Sequence, residues 1–449
     1  MWAAVAFGWN GATQGASFRI VGNPLGAGFN WLWLWSAARL GVSMTTFFAV
    51  TKYVVLVSCA GCIAWCWKAA GEACGGRGPT LRSAFVWVSV VFFATLQIHA
   101  PWSNDPVANY PLAGYVAAGI GFLVIGAACR VGAQPTLRRI ATSSVLATCA
   151  VLYYEINIGA VAGGALVLAY GCWRMRRGPS MSASLVALTV FVCVPASFIL
   201  VGRSVTGGNT GTYAGTTVRL SGAPTTFARG FVSSLPGSAW RLSIQTLGGQ
   251  LAVVFFVFAT VFLVAWVFRW WSSSEPSADP TDADGSDIGI AVAVVCAIGL
   301  YASFALALQS ITIKVQDEAP AVGYVYTWYA MTSCAVALGL AAAARYLSMR
   351  PASARVRYVA VGLGLSVLFV QNTVNWRLSE QLTTSYAANR RLLDAFDQDI
   401  VPVARCAALI QWQTIVWPDY YESGITDGIQ EAFDYYFGEP FCPLIGPTD

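Results

Sequence analysis

PLAGYVAAGIGFLVIGAACR, residues 111–130, decides the fold: nineteen residues carry no charge, and the first charge after them is Arg130. At 1.5 Å per helical residue, about 20 apolar residues cross the hydrocarbon core of a bilayer. Arg138 and Arg139 follow, and then the chain turns apolar again. This is how a membrane helix, a short cationic loop and a returning helix read in sequence.

Working outward, ten such runs are visible: Phe47–Trp67, Ser83–His99, Pro111–Cys129, Ile140–Tyr154, Ile156–Trp173, Ala183–Val201, Leu251–Trp271, Ile288–Ile313, Val325–Tyr346 and Val356–Asn372. The fold class expected is all-α transmembrane, with about ten membrane helices in residues 47–372. The fourth run is short, and it meets the fifth at Tyr154-Glu155-Ile156, which predicts a tight hairpin or a broken helix. Composition agrees, with 57% hydrophobic and 10% charged residues and a mean hydropathy of +0.60, against about a quarter charged in a soluble domain.

Short loops keep Lys and Arg on the cytoplasmic side. Lys68, Arg77 and Arg82; Arg130, Arg138 and Arg139; Arg174, Arg176 and Arg177; Arg269; and Arg345, Arg350, Arg355 and Arg357 make 14 of the 26 cations. The short opposite loops hold only Lys314. This predicts a multi-pass cell-membrane protein with residues 1–46, the loop 202–249 and a C-terminal cap, 373–449, all extracytoplasmic. The net charge of +5 reads as topology, and no basic footprint for nucleic acid is present. Arg outnumbers Lys 23 to 3, as codon use in a GC-rich bacterium favours. Residues 1–46 lack a signal-peptide pattern, so a helix upstream of Met1 is expected to export them.

Residues 272–287, SSSEPSADPTDADGSD, are acidic and almost without apolar side chains, which predicts a disordered cytoplasmic loop. Ten cysteines lie in or beside the apolar runs. The spacing of Cys59, Cys62 and Cys66 brings three sulfurs near one helix face, yet no His or carboxylate is near enough in sequence to complete a metal site, and small Cys suits packed helices. Cys406 and Cys442 stand alone in the outward tail, where thiols oxidise, and are expected to form a disulfide. No nucleotide-binding, Gly-x-Ser-x-Gly or zinc motif is present.

The candidate chemistry lies on the outer side. His99, the one histidine, opens HAPWSNDPVANYP (residues 99–111), where Pro101, Pro106 and Pro111 forbid continuous helix and carry His99, Trp102, Asn104 and Asp105 on an irregular loop. Asp105 reads equally as a cap for the helix that follows. Glu155, in YYEINIG (residues 153–159), is the one acid of a long apolar region, and acids at membrane depth face a cavity or a partner. Arg203, Arg219, Arg229 and Arg241 stand among Gly, Ser and Thr, where guanidinium forks suit phosphates. Trp31, Trp33 and Trp35 suit the membrane interface, and the aromatic, acidic tail WPDYYESGITDGIQEAFDYYFGEPFCP (residues 417–443) suits a small folded cap.

This layout, with its outer loop, its YYEINIG hinge, its long basic outer loop and its terminal cap, resembles the GT-C superfamily of polytopic membrane glycosyltransferases, especially the O-antigen glucosyltransferase type. FRIVGNPLGAGFNW (residues 18–31) is similar to the family's Arg- and Gly-containing stretch, and Tyr154-Glu155 stands at its Tyr-Gln hinge. The chain departs from the family in that no outward-facing acid precedes Asp105. The resemblance implies transfer of a sugar from a polyprenyl-phosphate carrier, a membrane lipid, to a glycan or lipid acceptor of the cell envelope. It implies Asp105 as base, or as the acid beside a divalent metal, with Glu155 as a second acid and His99 beside them. Arg203, Lys314, Arg377 and Trp102 would then bind substrate. A glycan polymerase or ligase shares this topology, and a non-catalytic membrane subunit would share it too. A polysaccharide or lipid transporter would set charges at mid-membrane, where this chain has almost none.

Overall fold

The computed structural model describes residues 44–75, 78–99, 111–174, 181–205, 217–236, 285–319, 321–349 and 399–416, with isolated positions within 24–40, 106–107, 238, 362–396 and 430–443. Among these the chain is all-α. Its one extended pairing is an isolated antiparallel bridge, Val218 to Thr312. The elements are α1 (Met44–Ala73), α2 (Leu81–Thr95), α3 (Leu112–Ala133, its first turn wound as a π-helix), α4 (Leu137–Tyr153), α5 (Ile158–Arg174), α6 (Met181–Val205), α7 (Ala223–Ser234), α8 (Gly285–Ser310), α9 (Ile313–Glu318), α10 (Trp328–Met349) and α11 (Pro402–Val416).

Among the described residues, five helical stretches are long and apolar enough to cross a membrane: Ala49–Ala73, Leu112–Ala133, Glu155–Arg174, Met181–Val201 and Gly289–Ser310. Of the other expected runs, Ser83–His99 yields the shorter α2, Ile140–Tyr154 yields α4, and Val325–Tyr346 yields α10 from Trp328 onward. Leu251–Trp271 lies outside the described residues, and of Val356–Asn372 only 362, 366 and 369–372 are described, all of them helical. Two boundaries move. α6 continues to Val205 and so takes in the first four residues of the expected loop from Gly202, and α8 begins at Gly285, inside the segment read as a disordered loop.

Local chemistry explains the ends. Thr80 and Thr136 cap α2 and α4, accepting hydrogen bonds from Ser83 N and Arg139 N, which satisfies amides that a helix start leaves open. α4 stops because Tyr154 is extended (φ −156°, ψ 126°). The chain then makes one 3₁₀ turn, Glu155–Asn157, and enters α5. Asn157 Nδ2 donates back to the Ala150 carbonyl at 3.0 Å, which also accepts the last helical bond of α4 from Tyr154 N–H at 3.1 Å. The junction is therefore a sealed hairpin corner.

Side-chain register gives the helix directions. Gly119 faces Cys59 and Cys62 while Gly126 faces Cys66, so α1 and α3 run parallel; Gly164 faces Ala128 and Gly171 faces Gly132, so α5 runs with them. Gly159 meets Phe304 and Gly163 meets Ala297, so α8 runs the other way. Two contacts are close enough to demand glycine. A β-carbon on Gly71 would lie 2.3 Å from the backbone of Gly78 in the connector to α2, and one on Gly163 would lie 2.6 Å from the Ala297 carbonyl; the second is the small-residue approach by which helices pack where burial in lipid supplies no drive. Lys68, Glu72, Arg130 and Arg139 meet at one end, joined by Lys68 to Glu72 (2.6 Å), Arg130 to Glu72 (3.5 Å) and Arg139 to the Arg130 carbonyl (3.1 Å). We call this the cationic end.

The chain divides into two units, Met1–Val374 and Asn375–Asp449. The second has its own apolar core, in which Leu409, Phe433 and Phe441 are fully buried. Cys406 and Cys442 are joined by a disulfide across 36 positions. Gln430 clamps the Cys442 backbone on both sides, donating to its carbonyl (3.0 Å) and accepting from its N–H (2.9 Å). Arg405, only 1% exposed, is held between Glu439 (2.8 Å) and the face of Phe433 (4.4 Å), which combines an ion pair with a cation–π contact.

Candidate functional site

The end of the bundle opposite the cationic end is polar. Gln309, at the last turn of α8, donates through Nε2 to Thr327 Oγ1 and to Tyr154 Oη (3.4 Å), and its Oε1 accepts from Trp328 N at 2.8 Å. Tyr154 Oη and Thr327 Oγ1 lie 3.0 Å apart. One side chain thereby ties the α4–α5 corner, the end of α8 and the start of α10. About two turns earlier on α8, Tyr301 donates to Asn157 Oδ1 (2.8 Å) and packs against Gly121 so closely that a β-carbon there would be 2.3 Å away.

Beside it, α7 lies against the ends of α8 and α10, with Gly230 against Leu306 and Trp328. Ser234 accepts a hydrogen bond from Thr332 (2.8 Å), and Ser233 Oγ accepts one from Gly323 N (2.9 Å). The segment after α2 closes this face. Gln97 N donates to Tyr329 Oη (3.1 Å), and Gln97 Nε2 donates to the Leu235 carbonyl (2.7 Å).

The structure places the sequence-predicted residues unequally. His99 follows α2 on irregular chain, but it is 1% exposed rather than at a surface. Its Nε2–H donates to the Ser233 carbonyl at 3.1 Å, and its ring stands edge-on to Tyr329 at 4.5 Å. The cause is α7, whose approach covers the ring. That role is anchoring, and it fixes the Nε2 proton as the donor. Glu155 is half-buried at the start of the 3₁₀ turn, next to Tyr154 of the polar network.

Lys314, in α9, lies 3.7 Å from Glu318 and 5.6 Å from the centre of the Tyr326 ring. At 3.7 Å the pair is coulombic rather than hydrogen-bonded. Arg219 is engaged differently, with a fork to Gln316 Oε1 and to Asp317 Oδ1 (2.7 Å). Gln316 returns hydrogen bonds to the carbonyls of Arg219 and Ser310. Arg203 belongs to the last turn of α6 rather than to the loop. Asp105, Trp102 and Arg377 lie outside the described residues.

Among the described residues no group of three or more His, Cys, Asp or Glu could hold a metal ion. Cys59, Cys62 and Cys66 have different neighbours: Cys59 Sγ meets Cys334 Sγ at 3.6 Å, Cys62 packs against Gly119 of α3, and Cys66 is buried against Gly126 of the same helix. What sequence reading missed is the hub. Gln309, Thr327 and Trp328 carry no local motif, and only the YYEINIG corner pointed to this place. No protein-family model matches the chain, and no curated protein or solved structure shows similarity to it.

Proposed function

We propose that the protein is a membrane glycosyltransferase of the GT-C type, moving a sugar from a polyprenyl-phosphate carrier to a glycan or lipid of the cell envelope. In this reading the cationic end faces the cytoplasm by the positive-inside rule, about ten helices cross the bilayer, and the C-terminal unit is an extracytoplasmic cap. The observation that carries it is the polar end of the bundle, where Glu155, the Lys314–Glu318 pair and the Arg219–Asp317 pair gather on a hydrogen-bonded floor built around Gln309. Acids beside cations at a membrane surface are what transfer from a lipid phosphate requires.

The chemistry follows from these groups. A carboxylate, Asp105 or Glu155, takes the proton of the acceptor hydroxyl as its oxygen bonds to the anomeric carbon. The bond from that carbon to the carrier phosphate breaks, and the electron pair leaves with the phosphate, whose charge Lys314 and Arg203 offset. Trp102 offers a ring for the sugar to stack on.

Full-length protein reconstituted with radiolabelled polyprenyl-phosphoglucose and envelope glycan tests this. Asp105→Asn should lower transfer by roughly 10²-fold or more, the usual scale for a general base, and leave carrier binding intact. Glu155→Gln should match it only if that acid meets the acceptor. Normal transfer by both variants, or no binding of the carrier by the wild type, overturns the reading.

A further inference from the structure

On the flank of the bundle, toward the cationic end, α1, α2 and α3 leave an open groove of about 720 Å³ lined by Ser58, Gly61, Cys62 and Trp65 of α1, Leu81, Arg82 and Phe85 of α2, and Leu123 of α3. The α1 residues repeat at three and four positions, one helix face, and run about 10 Å along the axis at 1.5 Å per residue. The wall is apolar apart from Ser58, Cys62 and Arg82, and Arg82 sits at the first turn of α2, at the mouth. We infer that this groove is a binding site for an anionic phospholipid, one acyl chain lying along α1 and the phosphate resting at Arg82.

Three observations converge on that occupant. The groove opens on the outside of an apolar bundle, between helices of which Ala49–Ala73 and Leu112–Ala133 have the length of membrane spans, so a lipid chain is what meets it. Its mouth is positive. Arg82 lines it, and Arg130 lies over the Trp65 ring at 5.9 Å, with Lys68 and Arg139 nearby in the cluster that holds Glu72 as its carboxylate. Third, the phosphate would meet the N-terminus of a 15-residue helix with no acid in its first turn, where the helix dipole favours an anion, although Thr80 already caps the Ser83 amide. A zwitterionic headgroup brings the same phosphate but also a choline cation that the positive mouth repels, so it gains less.

The test uses the full-length chain reconstituted in mixed vesicles carrying a trace of phosphatidylglycerol or phosphatidylcholine with a photoactivatable acyl chain, followed by peptide mapping. Crosslinks to the peptides holding Ser58–Trp65 and Leu81–Phe85 should favour phosphatidylglycerol. Arg82→Gln should lower that capture by about fivefold, the scale of one cation at an anionic surface, and Arg82→Lys should restore most of it. Gly61→Leu fills the groove without a clash at its β-carbon, which would sit 3.9 Å from Phe85, and should lower capture of both lipids. Equal capture of the two lipids by the wild type, or capture unchanged in Arg82→Gln, means ordinary annular lipid and overturns the site. Neither result bears on sugar transfer, which concerns the other end of the bundle.

Discussion

Removing the Cys406–Cys442 bridge should unfold the C-terminal unit well before the helical bundle. The bond closes a loop of 36 positions. In the chain-entropy account such a loop costs the unfolded chain about 13 cal/mol/K, or about 4 kcal/mol at 25 °C. For a domain of 60–100 residues each kcal/mol moves the thermal midpoint by about 4–8 °C, so the unit spanning Asn375–Asp449 should lose roughly 15–30 °C. The contacts around the bond should survive its loss. Cys406 and Cys442 are 3% and 0% exposed, so alanine at both positions leaves only two small voids, and the Gln430 clamp holds the Cys442 backbone rather than its sulfur. The assay is pulse proteolysis of full-length protein across a urea series, following cleavage within residues 402–442, for the wild type with and without dithiothreitol and for the double alanine variant. Peptide mass spectrometry must show free thiols in the reduced sample. If the reduced and oxidised midpoints then coincide, the loop-closure reasoning is wrong for this unit.

Two further predictions concern the bundle. Gln309→Leu keeps volume but strands the Trp328 N–H and removes the partner that Thr327 and Tyr154 share; a loss of about 1–3 kcal/mol is expected, read as a lowered midpoint in detergent, and a midpoint within error of wild type would show that the hub is not stabilising. Cys59 and Cys334 lie 3.6 Å apart as free thiols, so copper phenanthroline should crosslink α1 to α10 in the wild type. A protease cut between the two helices then leaves one band without reductant and two with it, while a Cys334→Ala variant gives two bands in both; two bands from the wild type under oxidising conditions would contradict the packing.

The helices that could be read from sequence are those whose signal is local. Residues 111–130 announce a helix because length, absence of charge and a terminal Arg all act within one turn sequence, and α1, α5, α6 and α8 follow the same rule. α7 gives no such signal. Ala223–Ser234 holds Pro, Thr, Ser and Arg, reads as part of a flexible loop, and becomes an element because Leu306 and Trp328 bury Gly230, a contact between positions far apart in the chain. The burial of His99 has the same origin: its sequence neighbours are prolines and polar residues, and what covers it comes from Ser233 and Tyr329. Gln309 is one of many glutamines in form, and its importance lies in three partners, Tyr154 from one distant segment and Thr327 and Trp328 from another. Arg405 is the reverse case, a charge that sequence would place in solvent and that Phe433 and Glu439 draw into a core.

The bond from Tyr301 to Asn157 joins residues 144 positions apart. At about 5–20 residues per second of synthesis, the hairpin of α4 and α5 exists for roughly 7 to 30 seconds before its clasp has been made. For that interval the amide oxygen of Asn157 must rely on some other donor, whether water, lipid or an insertion factor. The order of manufacture therefore gives this corner a provisional state that the finished molecule does not display, and a variant that lengthens the wait, by rare codons before residue 301, would probe it without altering a single amino acid.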